Sequence, residues 1–193
     1  MKRIILIIIV AFAFNFANAQ DSKGYIGVSI GAAFPGGDWT TGGYKAETGL
    51  NLGLINAGYR FSKNFGVTLN WGGSAFSDKD DSTLIYSIGY FAVGPMVSFP
   101  LNDKIVLDIK PQYVFTSGII DTGSLGYGKL QLENSSGLML GSSVNFSLAK
   151  HWALSLNLDY LSTKFNAYND GFIYIDESKV STVNTSLGVQ YKF

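Results

Sequence analysis

Cysteine is absent from this 193-residue chain, and proline is scarce at four residues. The first absence removes disulfides, thiolate nucleophiles and thiolate metal sites together. Without covalent staples the fold must hold itself by closure or by a well-filled core. Histidine occurs once, at position 151. Charge is sparse and balanced, fourteen basic against fourteen acidic side chains, which leaves no electrostatic footprint for nucleic acid. Long apolar runs are missing beyond the first twenty residues. The longest apolar stretch there, IGYFAVGPMVSFPL, is broken by glycine and proline and makes a poor spanning helix. No segment past residue 20 has the 3.6-residue period of a useful amphipathic helix.

What is present begins with MKRIILIIIVAFAFNFANAQ. Lys2 and Arg3, an apolar run from Ile4 to Phe16 and the small residues Ala17 and Ala19 follow the order of a secretory signal peptide. The run is too short for a membrane-spanning helix, which needs about 20 apolar residues. Cleavage after Ala19 divides the chain into a leader, 1–19, and one domain, 20–193. No cysteine follows the cut, so a lipoprotein anchor is excluded.

The rest of the chain alternates. NFGVTLNW places Phe65, Val67, Leu69 and Trp71 on one face, with Gly66, Thr68 and Asn70 on the other. KIVLDIKPQYVF, HWALSLNLDY and the closing VNTSLGVQYKF behave the same way. Period two is the strand period, and eight such segments are predicted, at about 24–34, 49–61, 64–76, 84–99, 104–116, 137–148, 151–163 and 180–193. The second changes phase: Leu50, Leu52 and Leu54 share one parity, Ala57, Tyr59 and Phe61 the other, so a bulge near Leu54-Ile55 is expected.

Opposite the apolar face the residues are mostly Gly, Ser, Thr and Asn, with few charges. The solvated face of a soluble sandwich carries many more. Small, weakly polar residues suit the lumen of a narrow barrel of ~8 strands, and the apolar face then meets lipid. Three connections are tight, around Lys63, Asp103 and Lys150, and four are long and polar, about 35–48, 77–83, 117–136 and 164–179. Short turns at one end and long loops at the other is the plan of an outer-membrane barrel. The expected fold is therefore an all-β, eight-stranded antiparallel up-and-down transmembrane barrel with short periplasmic turns and long extracellular loops. Phe61, Phe65, Phe99, Phe146 and Trp152 flank the turns as an interface girdle, and Trp71, Tyr113 and Tyr160 suit an upper one.

Eight alternating strands, aromatic-flanked turns and the ending VQYKF resemble the small outer-membrane β-barrel family, which includes OmpX-like proteins and the OmpA transmembrane domain. The likeness covers the chain after the leader and is one of pattern. It implies the outer membrane of a Gram-negative bacterium, lipid and lipopolysaccharide as surroundings, and a monomer. Leu187, Val189, Tyr191 and Phe193 are similar to the family's terminal assembly signal, whose implied reader is the barrel assembly machinery.

Chemistry is thin. Some small barrels modify lipid A with a histidine near the outer leaflet, but His151 lies in a periplasmic turn, so no enzyme is expected and no residue is assigned to catalysis, cofactor or metal. Asp78, Asp80 and Asp81 share one loop without the spacing of a calcium site. The proposed outer loops hold ten of the fourteen acidic residues against five lysines, a crown that suits cation bridges to lipopolysaccharide phosphates. Neither glycine-rich stretch, GGSAFSDK or GSLGYGK, precedes a helix as a phosphate loop requires. Asp108, Lys110, Asp159 and Lys192, with Arg60 if the bulge is real, point inward and are expected to pair into a lumenal charge network that plugs the barrel. The last long loop alternates around Phe172, Tyr174 and Asp176 and suits a protruding hairpin offered to a surface ligand. The expected role is structural or surface-interacting, adhesion-like, with a side-chain-filled lumen. The alternative is a small porin-like channel for small or hydrophobic solutes.

Overall fold

The computed structural model describes residues 23–41, 45–123, 126, 128–166, 168–169, 174–175 and 177–193. The leader expected at 1–19 and residues 167, 170–173 and 176 of the last long loop, Phe172 and Asp176 among them, lie outside them. Eleven strands are described: β1 (Gly24–Gly37), β2 (Gly49–Arg60), β3 (Phe65–Ser77), β4 (Ile85–Pro100), β5 (Ile105–Asp121), β6 (Lys129–Gln131), β7 (Ser135–Ser147), β8 (Trp152–Phe165), β9 (Tyr168–Asn169), β10 (Tyr174–Ile175) and β11 (Ser178–Lys192). Eight of them form one antiparallel sheet in the order β4-β3-β2-β1-β11-β8-β7-β5, and the β4–β5 pairing closes it. Closure removes the unpaired edges that hydrocarbon would not tolerate.

The seam is β1 against β11, in register from Tyr25↔Lys192 to Gly37↔Val180. Phe193 extends it: its N–H donates to the Gly24 carbonyl and its carbonyl accepts from the Gly24 N–H, at 2.9 and 3.0 Å. The final apolar alternation is thus the closing strand of the barrel. The phase change in β2 is also real, because its ladder with β3 shifts register between Gly53 and Ile55. That extra residue returns Arg60 to the lumen side.

Leucines, valines and rings point outward along every barrel strand, from Val28 and Ile30 to Leu187 and Val189. Burying this face in lipid rather than leaving it in water is the main driving force for insertion. On the inner side β3 alternates Thr68, Asn70, Gly72 and Ser74, and β11 alternates Thr182, Asn184, Ser186 and Gln190, nearly all buried. Glycine at Gly31 is obligatory, since an added Cβ would sit 1.9 Å from the Thr185 carbonyl oxygen. The strands run further at the loop end than alternation alone marks, β5 to Asp121 and β1 to Gly37. Those extensions build the outer mouth.

Candidate functional site

The lumen has three levels. At the turn end, Arg60 closes β2 and Asp108 lies early in β5. The guanidinium donates to both carboxylate oxygens of fully buried Asp108, at 3.1 and 3.0 Å. Arg60 Nε also donates to Ser98 Oγ at 2.8 Å, and that hydroxyl donates to Asp108 Oδ1 at 2.5 Å. Asn145 Nδ2 adds a bond to Oδ2 at 2.8 Å. The guanidinium lies 5.7 Å from the centre of the Tyr25 ring, and the Tyr25 hydroxyl points to Met96 Sδ. A fork-shaped cation, a carboxylate with every lone-pair direction engaged and an aromatic face make a latch across the barrel.

The middle level is polar but incompletely paired. Lys110, Gly141, Asp159 and Asn184 follow one another along a hydrogen-bonding row through β5, β7, β8 and β11. Gly141 leaves the space that both charged side chains occupy: a Cβ there would meet Asp159 Oδ1 at 2.5 Å and Lys110 Cε at 3.4 Å. Among the described residues no ion pair within 4.0 Å joins Lys110 to Asp159. Asp159 Oδ1, Asn184 Nδ2, Asn70 Oδ1 and Gln112 Nε2 are buried without a protein hydrogen-bond partner. Lys192, also expected in the charge network, sits at the turn end and donates to Ser147 Oγ at 2.8 Å. The structure therefore brings Arg60 and Asp108 together, places Lys110 near Asp159 across one glycine, and leaves Lys192 apart.

The upper level was not legible in the sequence. A 3-10 turn, Asp38–Thr40, follows β1 and drops Trp39 into the mouth, where it is 1 % exposed. Gly37, at φ +72°, makes the bend in the backbone region where glycine alone is unstrained. Trp39 stacks on Phe165 at 6.3 Å and meets Tyr86 at 5.6 Å and Phe76 at 6.0 Å. Ile88, Val114, Met139 and Leu161 line the wall beneath. The Asp38 carboxylate accepts the Lys179 N–H at 2.7 Å, tying the turn to the start of the closing strand. The only sequence signal was a tryptophan inside the glycine-bounded GGDWT.

Around the mouth the loops strap one another. Glu47 N–H donates to the Ser77 carbonyl, and Lys79 N–H to the Lys45 carbonyl, each at 2.9 Å. Asp78, Asp80 and Asp81 take separate tasks. Burial works against the charge of Asp78, but the Asp80 N–H, the Tyr86 hydroxyl and the Lys45 and Asp81 N–H groups donate to it and hold its carboxyl below the usual range. Asp80 pairs with Lys45 at the exposed rim, and Asp81 caps the Thr83 N–H at 2.9 Å. Three carboxylates so occupied do not converge on a common cation. Beyond them β9 and β10 pair as the short hairpin expected of the last loop.

The girdle residues Phe65, Phe99, Phe146 and Trp152 all face outward near the turns, with Phe61 half-buried beside them. Leu187, Val189, Tyr191 and Phe193 also project outward. His151 is at the same end: its Nδ1 lies 3.0 Å from the Lys192 carbonyl, and its ring stacks on Tyr191 at 5.6 Å. Trp71, Tyr113 and Tyr160 sit outward on the upper half of the wall.

This geometry has close parallels among solved structures. Neisserial surface protein A superposes at a TM-score of 0.63 with 14% identity, over 88% of this chain and 97% of its own. Ail, the attachment invasion locus protein of Yersinia pestis, gives 0.57 with 15% identity, over 90% and 100%. The outer membrane protein OprG from Pseudomonas aeruginosa gives 0.54 with 17% identity, over 91% and 99%. At these identities the likeness is one of fold. No curated protein matches the sequence. The family model for the outer membrane protein beta-barrel domain matches residues 4–193, so the chain belongs to that family and is an outer-membrane β-barrel protein.

Proposed function

We infer that this is a closed-lumen barrel that carries no catalytic activity and presents its loop crown to a partner outside the cell. The observation that supports the reading is side-chain packing at both ends. Trp39 fills the outer mouth among Phe76, Tyr86 and Phe165, and the Arg60–Asp108 latch fills the inner one. A barrel so sealed offers its environment only the lipid-facing wall and the loops. The loops hold ten acidic residues against five lysines, and complementarity of charge favours a basic partner surface. Attachment invasion locus in the name of Ail agrees with a contact role. The terminal strand acts as the assembly signal read by the barrel assembly machinery.

Binding of nanodisc-embedded barrel to immobilised polycationic and polyanionic surfaces tests this. Wild type is expected to hold the cationic surface and to release it as salt is raised. Replacement of 166–177 by a two-residue turn is expected to weaken binding while the barrel stays folded. Equal binding of wild type and the shortened variant would overturn the role of that loop. A small-solute channel is the second reading, and its support is the middle lumen, where Asn70, Gln112, Asp159 and Asn184 keep polar atoms without protein partners. Buried groups of that kind are ordinarily satisfied by water.

A further inference from the structure

The outer wall carries a groove of about 820 Å³ where β5 changes partner. Up to Thr116↔Ser135 the neighbour of β5 is β7; from Ile119↔Gln131 onward it is β6. The crossing segment contributes Asn134, Ser135 and Ser136 to the groove's lining. Its apolar floor is a continuous row across three strands. Trp71 is opposite Phe91, and Phe91 is opposite Phe115. Tyr113 meets Phe115 edge-on at 5.1 Å. Gly89 keeps the row open, having no side chain beside Ser117.

The upper rim differs in chemistry. Ser117, Asn134, Ser136 and Asn166 supply neutral donors and acceptors, with Asn166 Nδ2 donating to Glu133 Oε2 at 3.3 Å, and among the described residues Lys164 is the only charged one that lines the groove. Lys164 follows the row directly, since Phe115 is opposite Ser136 and Gly137 is opposite Thr163. Its ammonium pairs with Glu177, but the two side chains are 57% and 50% exposed. Such a pair holds weakly, and an ammonium has three donors to share.

Height decides what can reach this groove. Phe91 stands eight residues above the girdle residue Phe99 on β4. At about 3.3 Å per residue and a tilt of roughly 40°, that is about 20 Å along the barrel axis, near the top of an apolar band about 25 Å tall. The aromatic row therefore lies in the outer leaflet and the rim at its headgroups.

We propose that the groove over Trp71, Phe91, Tyr113 and Phe115 seats one phosphorylated glycolipid of the outer leaflet, with its phosphate on Lys164. The acyl chains lie along the aromatic row. The sugar ring rests above Phe115, where ring faces and small hydroxyl and amide side chains match a polyol. A glycerophospholipid would satisfy Lys164 but would leave most of the Ser and Asn rim without partners. The seat is on the wall rather than the crown and does not depend on the loop reading above.

Native mass spectrometry of the barrel released from nanodiscs tests it. The discs carry equal amounts of bis-phosphorylated lipid A, its dephosphorylated form and phosphatidylglycerol. Wild type is expected to retain one lipid A, with about a tenfold preference over the dephosphorylated form, the factor typical of one charge-assisted hydrogen bond. Lys164→Gln is expected to abolish that preference, and Phe115→Ala to lower retention of both lipid A forms. Ile30→Ala, outward on β1 across the barrel from β5, is expected to change nothing, and a heat-modifiable gel shift certifies folding of each variant. Equal retention of the two lipid A forms by wild type would overturn the phosphate contact. Equal retention of phosphatidylglycerol would overturn the glycolipid assignment. Retention unchanged in both groove variants would reduce the groove to ordinary annular lipid.

Discussion

Asp108 decides the inner end of the lumen. It is fully buried and accepts from Arg60, Ser98 and Asn145. Removing one partner of such a pair strands the other charge, at a cost of about 3–5 kcal/mol, whereas replacing both with apolar groups of similar volume is close to neutral. Asp108→Ala should therefore lower the unfolding temperature markedly, and Arg60→Met with Asp108→Leu should restore most of the loss; a thermal gel-shift series checks both. Asp78 adds a pH dependence at the outer end. Its folded carboxyl titrates below the ordinary value, near 3.9 for aspartate. The stability it contributes is complete above that value and is lost as pH falls through the lower, folded one. Protease resistance of the loops around Lys45 and Asp78 should hold at pH 5 and weaken only in stronger acid, and Asp78→Asn should weaken it at pH 5 and remove that acid dependence.

At the scale of elements, the register shift in β2 has the largest consequence. A one-residue slip turns every following side chain to the other face. Deleting Leu54 should turn the bulge into a regular ladder with Arg60 still in the lumen and keep the heat-modifiable band, whereas inserting an alanine between Ala57 and Gly58 should send Arg60 toward lipid and give no such band. That bulge was legible, because three leucines on one parity followed by Ala57, Tyr59 and Phe61 on the other admit no regular strand. The strands themselves were legible because lipid on one side and a crowded lumen on the other enforce period two along their whole length. The plug was not. Trp39 lies on a loop, and where a loop side chain goes depends on residues far along the chain, here Phe76, Tyr86 and Phe165. These three share the lumen parity, where the pattern elsewhere is small and polar, and only the fold shows that they stack above the polar level. The distance between Lys110 and Asp159 was equally hidden, since it depends on Gly141 lying between them. Trp39→Ala should cost about 3–5 kcal/mol, the range for large-to-small replacements in a packed core, read as a drop in unfolding temperature without loss of the barrel.

The whole molecule is an outer-membrane barrel with an aromatic cluster at the outer mouth, an ion-paired latch at the inner end and a polar level between them, and on the reading proposed above the two ends close the lumen. A closed lumen is a matter of conductance. The first measurement is single-barrel current in planar bilayers for wild type, Trp39→Ala, Asp108→Ala and the double variant. Wild type is expected to be silent, each single variant nearly so, and the double variant to open discrete channels. Steady conductance in the wild type would contradict the closed lumen and move the protein to the transport reading.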